Sequence, residues 1–118
     1  MSYKFYPTVL FIAEAKKLKK RYPKLADDLR LLRKRLHEDP LSGNDSLGAS
    51  CYKVRMELTD KKSGKSGGAR LIIQVFVKDK VVHLLTIYDK SRKSGLFEGE
   101  LDKILKTQLL KWGENRKD

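Results

Sequence analysis

Two apolar runs, Ala69 to Val77 and Val81 to Tyr88, are separated only by Lys78-Asp79-Lys80. Both are rich in valine, isoleucine and leucine and have the length of strands. So short a connection permits an antiparallel hairpin and excludes a parallel crossover, which needs about a dozen residues or more. A third run of the same kind, Cys51 to Leu58, comes before them and is joined through a longer, glycine-rich and basic stretch, Thr59 to Gly68. The middle of the chain is therefore read as an antiparallel sheet, and the flanks must supply what packs on it.

Strand side chains alternate between faces, so each run splits into two sets. In the first, Tyr52, Val54, Met56 and Leu58 oppose Cys51, Lys53, Arg55 and Glu57. In the second, Leu71, Ile73, Val75 and Val77 oppose Arg70, Ile72, Gln74 and Phe76. In the third, strict alternation groups Val81, His83, Leu85 and Ile87 against Val82, Leu84, Thr86 and Tyr88. One face is then aliphatic and predicted to lie against helices. The other gathers Lys53, Arg55, Glu57, Arg70, Gln74, Thr86 and Tyr88 between apolar walls.

The helices come from the flanks. Tyr3 to Leu10 reads as a short opening strand, with Pro7 suited to an edge or a strand end. From about Thr8 the pattern turns helical: Phe11, Ala15 and Leu18 share a face, and a helix stop is predicted before Pro23. Pro23 in a first turn, Asp27 and Asp28 near the positive dipole end, and Leu25, Leu29, Leu32 and Leu36 on one stripe predict a second helix that ends at Asp39-Pro40. The very short link makes the pair an antiparallel hairpin. Pro40 to Ser50, rich in Gly, Ser, Asn and Asp, is read as a loop. After Lys93 a final helix is predicted, with Phe97, Leu101, Ile104, Leu105 and Gln108 or Leu109 on one face, running to about Trp112 and stopping at Gly113. The expected fold is α+β: a mainly four-stranded antiparallel sheet on an N-terminal helical hairpin, order β-α-α-β-β-β-α. We expect one domain over residues 1–118, with 114–118 a polar tail.

Charge narrows the partner. The chain of 118 residues carries 27 Lys and Arg against 15 Asp and Glu, a formal net charge of +12, so a polyanion is the natural ligand. Residues 94–118 hold five positive and five negative side chains. The excess therefore lies in residues 1–93, and the final helix is expected to stand outside the polyanion footprint. The longest apolar runs are strand-sized, so neither a membrane span nor a membrane partner is expected. Without a signal-peptide pattern at the N-terminus, a cytoplasmic address is expected. Cys51 is the sole cysteine and rules out an internal disulfide. His37 and His83 are read as structural. With acidic residues dispersed, neither a metal site nor another cofactor is expected.

Three cations, Lys53, Arg55 and Arg70, share a predicted face with Tyr88, and this is the equipment for holding phosphates and stacking on single-stranded bases. These residues carry a resemblance. Cys51-Tyr52-Lys53-Val54-Arg55, the run Gly64 to Arg70 and Leu84 to Lys90 resemble, in that order, three motifs of the RelE/ParE superfamily of bacterial type II toxins, especially RelE and the HigB-type toxins. The match covers most of the chain in element order.

The resemblance implies a toxin that acts as a ribosome-dependent endoribonuclease, cutting messenger RNA in the A site, and is restrained by a cognate antitoxin encoded nearby. Lys53 and Arg55 match the two basic residues of the first catalytic strand, and Arg70 matches the arginine that opens the next. Tyr88 and Lys90 match the HigB-type end of the last strand, with Lys93 close by. Where RelE has an arginine after the last strand and a tyrosine at the start of its final helix, this chain has Ser91 and Phe97; Arg92 or Lys93 could replace the arginine.

Such an enzyme cuts RNA through its own 2′-hydroxyl, which attacks the adjacent phosphorus and leaves a 2′,3′-cyclic phosphate and a 5′-hydroxyl. The protein must accept a proton, stabilise the phosphorane and protonate the leaving oxygen. Arginine is too basic to accept one, whereas a lysine among other cations can. Lys53 is accordingly the candidate base, with Glu57 as the alternative. Arg70 is assigned to the scissile phosphate, Tyr88 to orienting a base, and Lys90 and Lys93 to the backbone or the leaving group. Lys65, Gln74 and Arg92 are expected to contact RNA. A gyrase poison of the ParE type and a non-catalytic nucleic-acid-binding module are the competing readings.

Overall fold

The computed structural model describes residues 2–61 and 67–108. Lys65, the stretch from Leu109 to Gly113 and the tail 114–118 lie outside the described residues, so the expectations placed on them do too.

The elements run β1 (Lys4–Pro7), α1 (Val9–Arg21), α2 (Leu25–Glu38), β2 (Asp45–Gly48), β3 (Cys51–Met56), β4 (Ala69–Phe76), β5 (Val81–Asp89) and α3 (Glu100–Thr107). They form an α+β fold whose sheet has the order β1-β5-β4-β3-β2. β3, β4 and β5 are antiparallel neighbours, and for β4 and β5 the short connection requires it. β1 joins the edge of β5 in parallel, and Pro7, which has no N–H to give, is its last residue.

The sheet has five strands rather than mainly four, because Asp45–Gly48 pairs with β3. The sequence reads that stretch as loop for a physical reason: β2 is exposed along its whole length, so it carries no apolar alternation. The turn out of it uses three successive left-handed residues, Gly48, Ala49 and Ser50.

The helical hairpin packs where the apolar stripes direct it. Phe11 and Leu18 of α1 and Leu25, Leu32 and Leu36 of α2 are buried against Val54, Leu71, Ile73, Val75, Val82 and Ile87. Each such side chain, fully buried, contributes about 1.5–3 kcal/mol. α2 starts at Leu25, two residues beyond Pro23, because Lys24 N–H donates to the Asp60 carboxylate at 2.8 Å and the first turn is set by that tertiary bond. Asp28 in turn accepts from the Thr59 N–H at 3.0 Å and hydroxyl at 2.5 Å, which ties the hairpin to the end of the sheet.

Two expectations are corrected. In β5, Ile72 faces Thr86 while Ile73 faces Leu84, so Leu85 is an extra residue and the alternation reverses there. Val82, Leu84 and Ile87 therefore join the hairpin core, and Leu85 belongs to a second core. His83 consequently lies opposite Gln74, away from the hairpin, with its ring edge-on to Phe76 at 5.0 Å. Burial holds the His83 imidazole below its ordinary pKa.

The second correction concerns the other face. It is not an open basic surface, because Ile104 packs there with Cys51, Ile72, Leu85 and Tyr88, flanked by Leu96, Leu101 and Leu105. α3 begins at Glu100 rather than soon after Lys93. Gly99 just ahead of it is left-handed (φ 82°), and Phe97 stays outside the helix and 72 % exposed.

Candidate active site

Register places the basic side chains. Arg55, Arg70 and Tyr88 are direct cross-strand partners in one row over β3, β4 and β5. The next row on the same face is Lys53, Ile72 and Thr86. Neighbouring strands lie about 4.8 Å apart, so the row sets Arg55, Arg70 and Tyr88 side by side on one face. The Leu85 bulge is what turns Thr86 and Tyr88 toward this face and α3.

Exposure divides the row. Arg70 is 5 % exposed and Tyr88 8 %, whereas the Arg55 side chain is 58 % exposed and Lys53 is half-buried. Arg70 Nη1 donates to the Ala69 carbonyl at 3.1 Å. Burial pushes the Tyr88 phenol above its ordinary value; Arg70 opposes this and Glu100 reinforces it. The hydroxyl therefore keeps its proton at neutral pH and can donate.

β2 adds a group that the sequence did not signal. Asp45 lies across from Lys53 in the sheet, and its carboxylate stands 3.6 Å from Arg55 Nη2. A strand read as loop hides its register, so this juxtaposition had no sequence signature. Glu57, the alternative base, is exposed past the end of β3 and shares a surface depression of about 260 Å³ with Arg55 and with Arg35 of α2.

Lys93 is half-buried between two aromatic rings. Its ammonium sits 5.7 Å from the Tyr88 ring centre and 4.9 Å from that of Phe97, and it pairs with Glu100 at 2.5 Å. Burial raises the Glu100 carboxyl, but the bonds from Lys93 and from the Phe97 N–H outweigh it and hold the group below the usual carboxylate range. Phe97, which stands where RelE has a tyrosine, thus reaches the site through Lys93. Glu100 was not foreseen, since the final helix was expected outside the footprint.

The remaining candidates are dispersed. Lys90 Nζ bonds the Ser94 carbonyl at 3.4 Å and its backbone N–H bonds the Gly68 carbonyl at 3.0 Å. Arg92 is exposed at a cleft of about 290 Å³ that it shares with Tyr88, Lys93 and Glu100, and with Lys17 and Arg21 of α1. On a linear sequence those two look like any solvated helix face. Gln74 donates to the Ala49 carbonyl at 3.2 Å and so braces the β2–β3 turn. Among the described residues no three His, Cys, Asp or Glu side chains come together as a metal site, and no helix is long and apolar enough to cross a membrane.

No family model matches the chain, and no curated protein sequence does. Solved structures do resemble it. A mutant of the E. coli toxin RelE in the free state superposes with a TM-score of 0.61 at 21% identity, over 88% of this chain and 99% of that one. The toxin-antitoxin complex RelBE2 of Mycobacterium tuberculosis matches with a TM-score of 0.57 at 20% identity, over 75% of this chain and 99% of its own.

Proposed function

From the RelE-like toxin fold of this chain, we propose that it is the toxin of a type II toxin–antitoxin system and acts as a metal-independent, ribosome-dependent messenger RNA endoribonuclease. The observation that carries this reading is the in-register row Arg55, Arg70 and Tyr88 with Lys53 beside it. A fold alone hosts many activities, so the site has to support the chemistry.

Lys53 takes the proton of the 2′-hydroxyl as its oxygen bonds to phosphorus. Its position within β3 favours it over Glu57, which lies past the strand end. Arg70 presents its fork to the non-bridging oxygens as charge builds on the phosphorane, and Arg55 holds the flanking phosphate. The bond to the 5′-oxygen then breaks, and Tyr88 or Lys93 supplies that oxygen with a proton. A cognate antitoxin would keep the activity in check.

Burial of Arg70 and Tyr88 also favours a second reading, a nucleic-acid-binding module without cleavage. One experiment separates them. Purified chain is mixed with ribosomes that hold a defined message, and RNA ends are mapped. Cuts within the A-site codon that leave 2′,3′-cyclic phosphates are expected, and Arg70→Ala should abolish them. Intact message with retained RNA binding would favour the module, and unchanged cutting by Arg70→Ala would remove the role given to that residue. A DNA-damage response on expression, with translation unaffected, would instead indicate a gyrase poison. Co-expression with the adjacent reading frame tests the antitoxin: growth should recover.

A further inference from the structure

The cleavage scheme makes no use of Asp89, a buried carboxylate that follows Tyr88 directly in the chain. Tyr88 points toward α3, so Asp89 points toward the hairpin. There its Oδ2 accepts from the Tyr22 phenol at 2.6 Å, and its Oδ1 accepts from Lys61 Nζ at 3.0 Å, the Ser91 N–H at 3.0 Å and the Ser91 hydroxyl at 2.7 Å. The backbone carbonyl of the same residue accepts from the N–H groups of Arg92 and Lys93, each at 3.0 Å. Side chain and main chain of one residue thus close the turn that carries Lys90, Arg92 and Lys93.

We propose that Asp89 is a positioning residue for the candidate site: held by Tyr22 and Lys61, it fixes the turn that sets Lys93 over the Tyr88 ring. The catalytic consequence rests on the ribonuclease reading above; the geometric part does not.

The chemistry of the partners explains why the residue is an aspartate. All four are donors, and an ionised carboxylate is a side chain that only accepts. Burial works against the charge, but the bonds from Tyr22, Ser91 and Lys61 outweigh it and hold the carboxyl well below its usual range. Asparagine with its oxygen in the Oδ1 place keeps the bonds from Ser91 and Lys61 but turns N–H groups toward Tyr22, whose hydroxyl must then change from donor to acceptor; with the amide reversed, the N–H groups face the Lys61 ammonium and the Ser91 N–H, which cannot accept. Alanine leaves the four donors of the side chain unpaired, so that only the two bonds to the backbone carbonyl still hold the turn. The Tyr22 bond adds reach, because it comes from the residue that ends α1, so the hairpin is coupled through one carboxylate to groups on the opposite face of the sheet.

The test combines single-turnover cleavage of ribosome-bound message with NMR of lysine-labelled protein, in which the Lys93 ε-methylene resonance is displaced by the Tyr88 and Phe97 ring currents. A misplacement of ~1 Å costs on the order of 10²-fold in rate. Asp89→Ala should therefore cut kcat by roughly that factor with KM held within about twofold, Asp89→Asn by about tenfold, and the Lys93 resonance should move toward its free position in the same order. Leu29→Ala, which trims the hairpin core and leaves the turn alone, should keep both the rate and the resonance.

Wild-type kcat and an unmoved Lys93 resonance in Asp89→Ala would overturn the proposal, as would an equal loss of kcat in Leu29→Ala. If wild-type protein cuts no RNA, the ribonuclease reading fails and the Lys93 resonance alone decides the positioning. Should Asp89→Ala not fold, Tyr22→Phe removes a single donor and is measured in the same two ways. A smaller displacement in the same direction is then expected, and none would overturn the proposal.

Discussion

Replacing Thr8 by valine should cost this fold about 3 kcal/mol, far more than the loss of one surface hydroxyl. Thr8 is 1 % exposed and caps α1, its Oγ1 accepting from the Phe11 N–H at 3.0 Å. The same oxygen donates to the Leu85 carbonyl at 2.9 Å. Valine has nearly the same shape, so no cavity opens and the change isolates the hydrogen bonds. Loss of the cap costs about 1 kcal/mol, and the buried Leu85 carbonyl left without this donor costs roughly 1–3 kcal/mol more. For a domain of this size 1 kcal/mol lowers Tm by about 4 °C, so Thr8→Val should melt about 12 °C below wild type. Leu85 is also the bulged residue that aims Thr86 and Tyr88. Amide exchange at residues 86–88 should accordingly quicken more than at Ile73 to Val75. Thr8→Ser keeps the oxygen and should lose less than half as much. Thermal and urea unfolding followed by circular dichroism checks both variants; a Thr8→Val midpoint within about 2 °C of wild type, or a serine variant as weak as the valine one, would refute the reasoning.

Three further outcomes follow from the same geometry. Arg70→Lys keeps the charge but loses the two-pronged donor, so message cleavage should fall by ~10²-fold while RNA binding, read by filter retention, stays within severalfold. Gly68→Ala would drive a Cβ into the Met56 carbonyl, and the required backbone shift should destabilise the fold by about 1–3 kcal/mol in urea titrations. His83 is held below its ordinary value of 6.5 by burial, so the unfolded chain takes up that proton first as pH falls. Its contribution to stability is complete above pH 6.5 and declines below it; unfolding free energies measured from pH 7.5 to 5 should show this slope, and His83→Gln should flatten it.

Strong local periodicity was readable without a structure. The leucine stripe of α2 buries one face and the three central strands bury apolar runs, and burial imposes a pattern that survives in the linear sequence. The antiparallel pairing of β4 with β5 was equally accessible, because their connection is too short for a crossover; the longer β3–β4 connection left open the register that sets Arg55 opposite Arg70. β2 escaped notice because an exposed edge strand owes nothing to the core.

What needed the folded chain was everything set by a partner distant in sequence. Alternation assumes an unbroken ladder, and the extra residue Leu85, tied at its carbonyl to Thr8 of α1, sends His83 to the other face. Charge counting placed the last helix outside the site, since it weighs residues without knowing their neighbours; the fold instead sets Glu100 against Lys93 and buries Arg70 and Tyr88 nearby. Local sequence thus specified the buried elements and, where the ladder is unbroken, the residue types on their faces. Which carboxylate meets which cation, and how far each is removed from water, was decided by packing across the sheet, because those energies depend on distances between segments that the linear order does not contain.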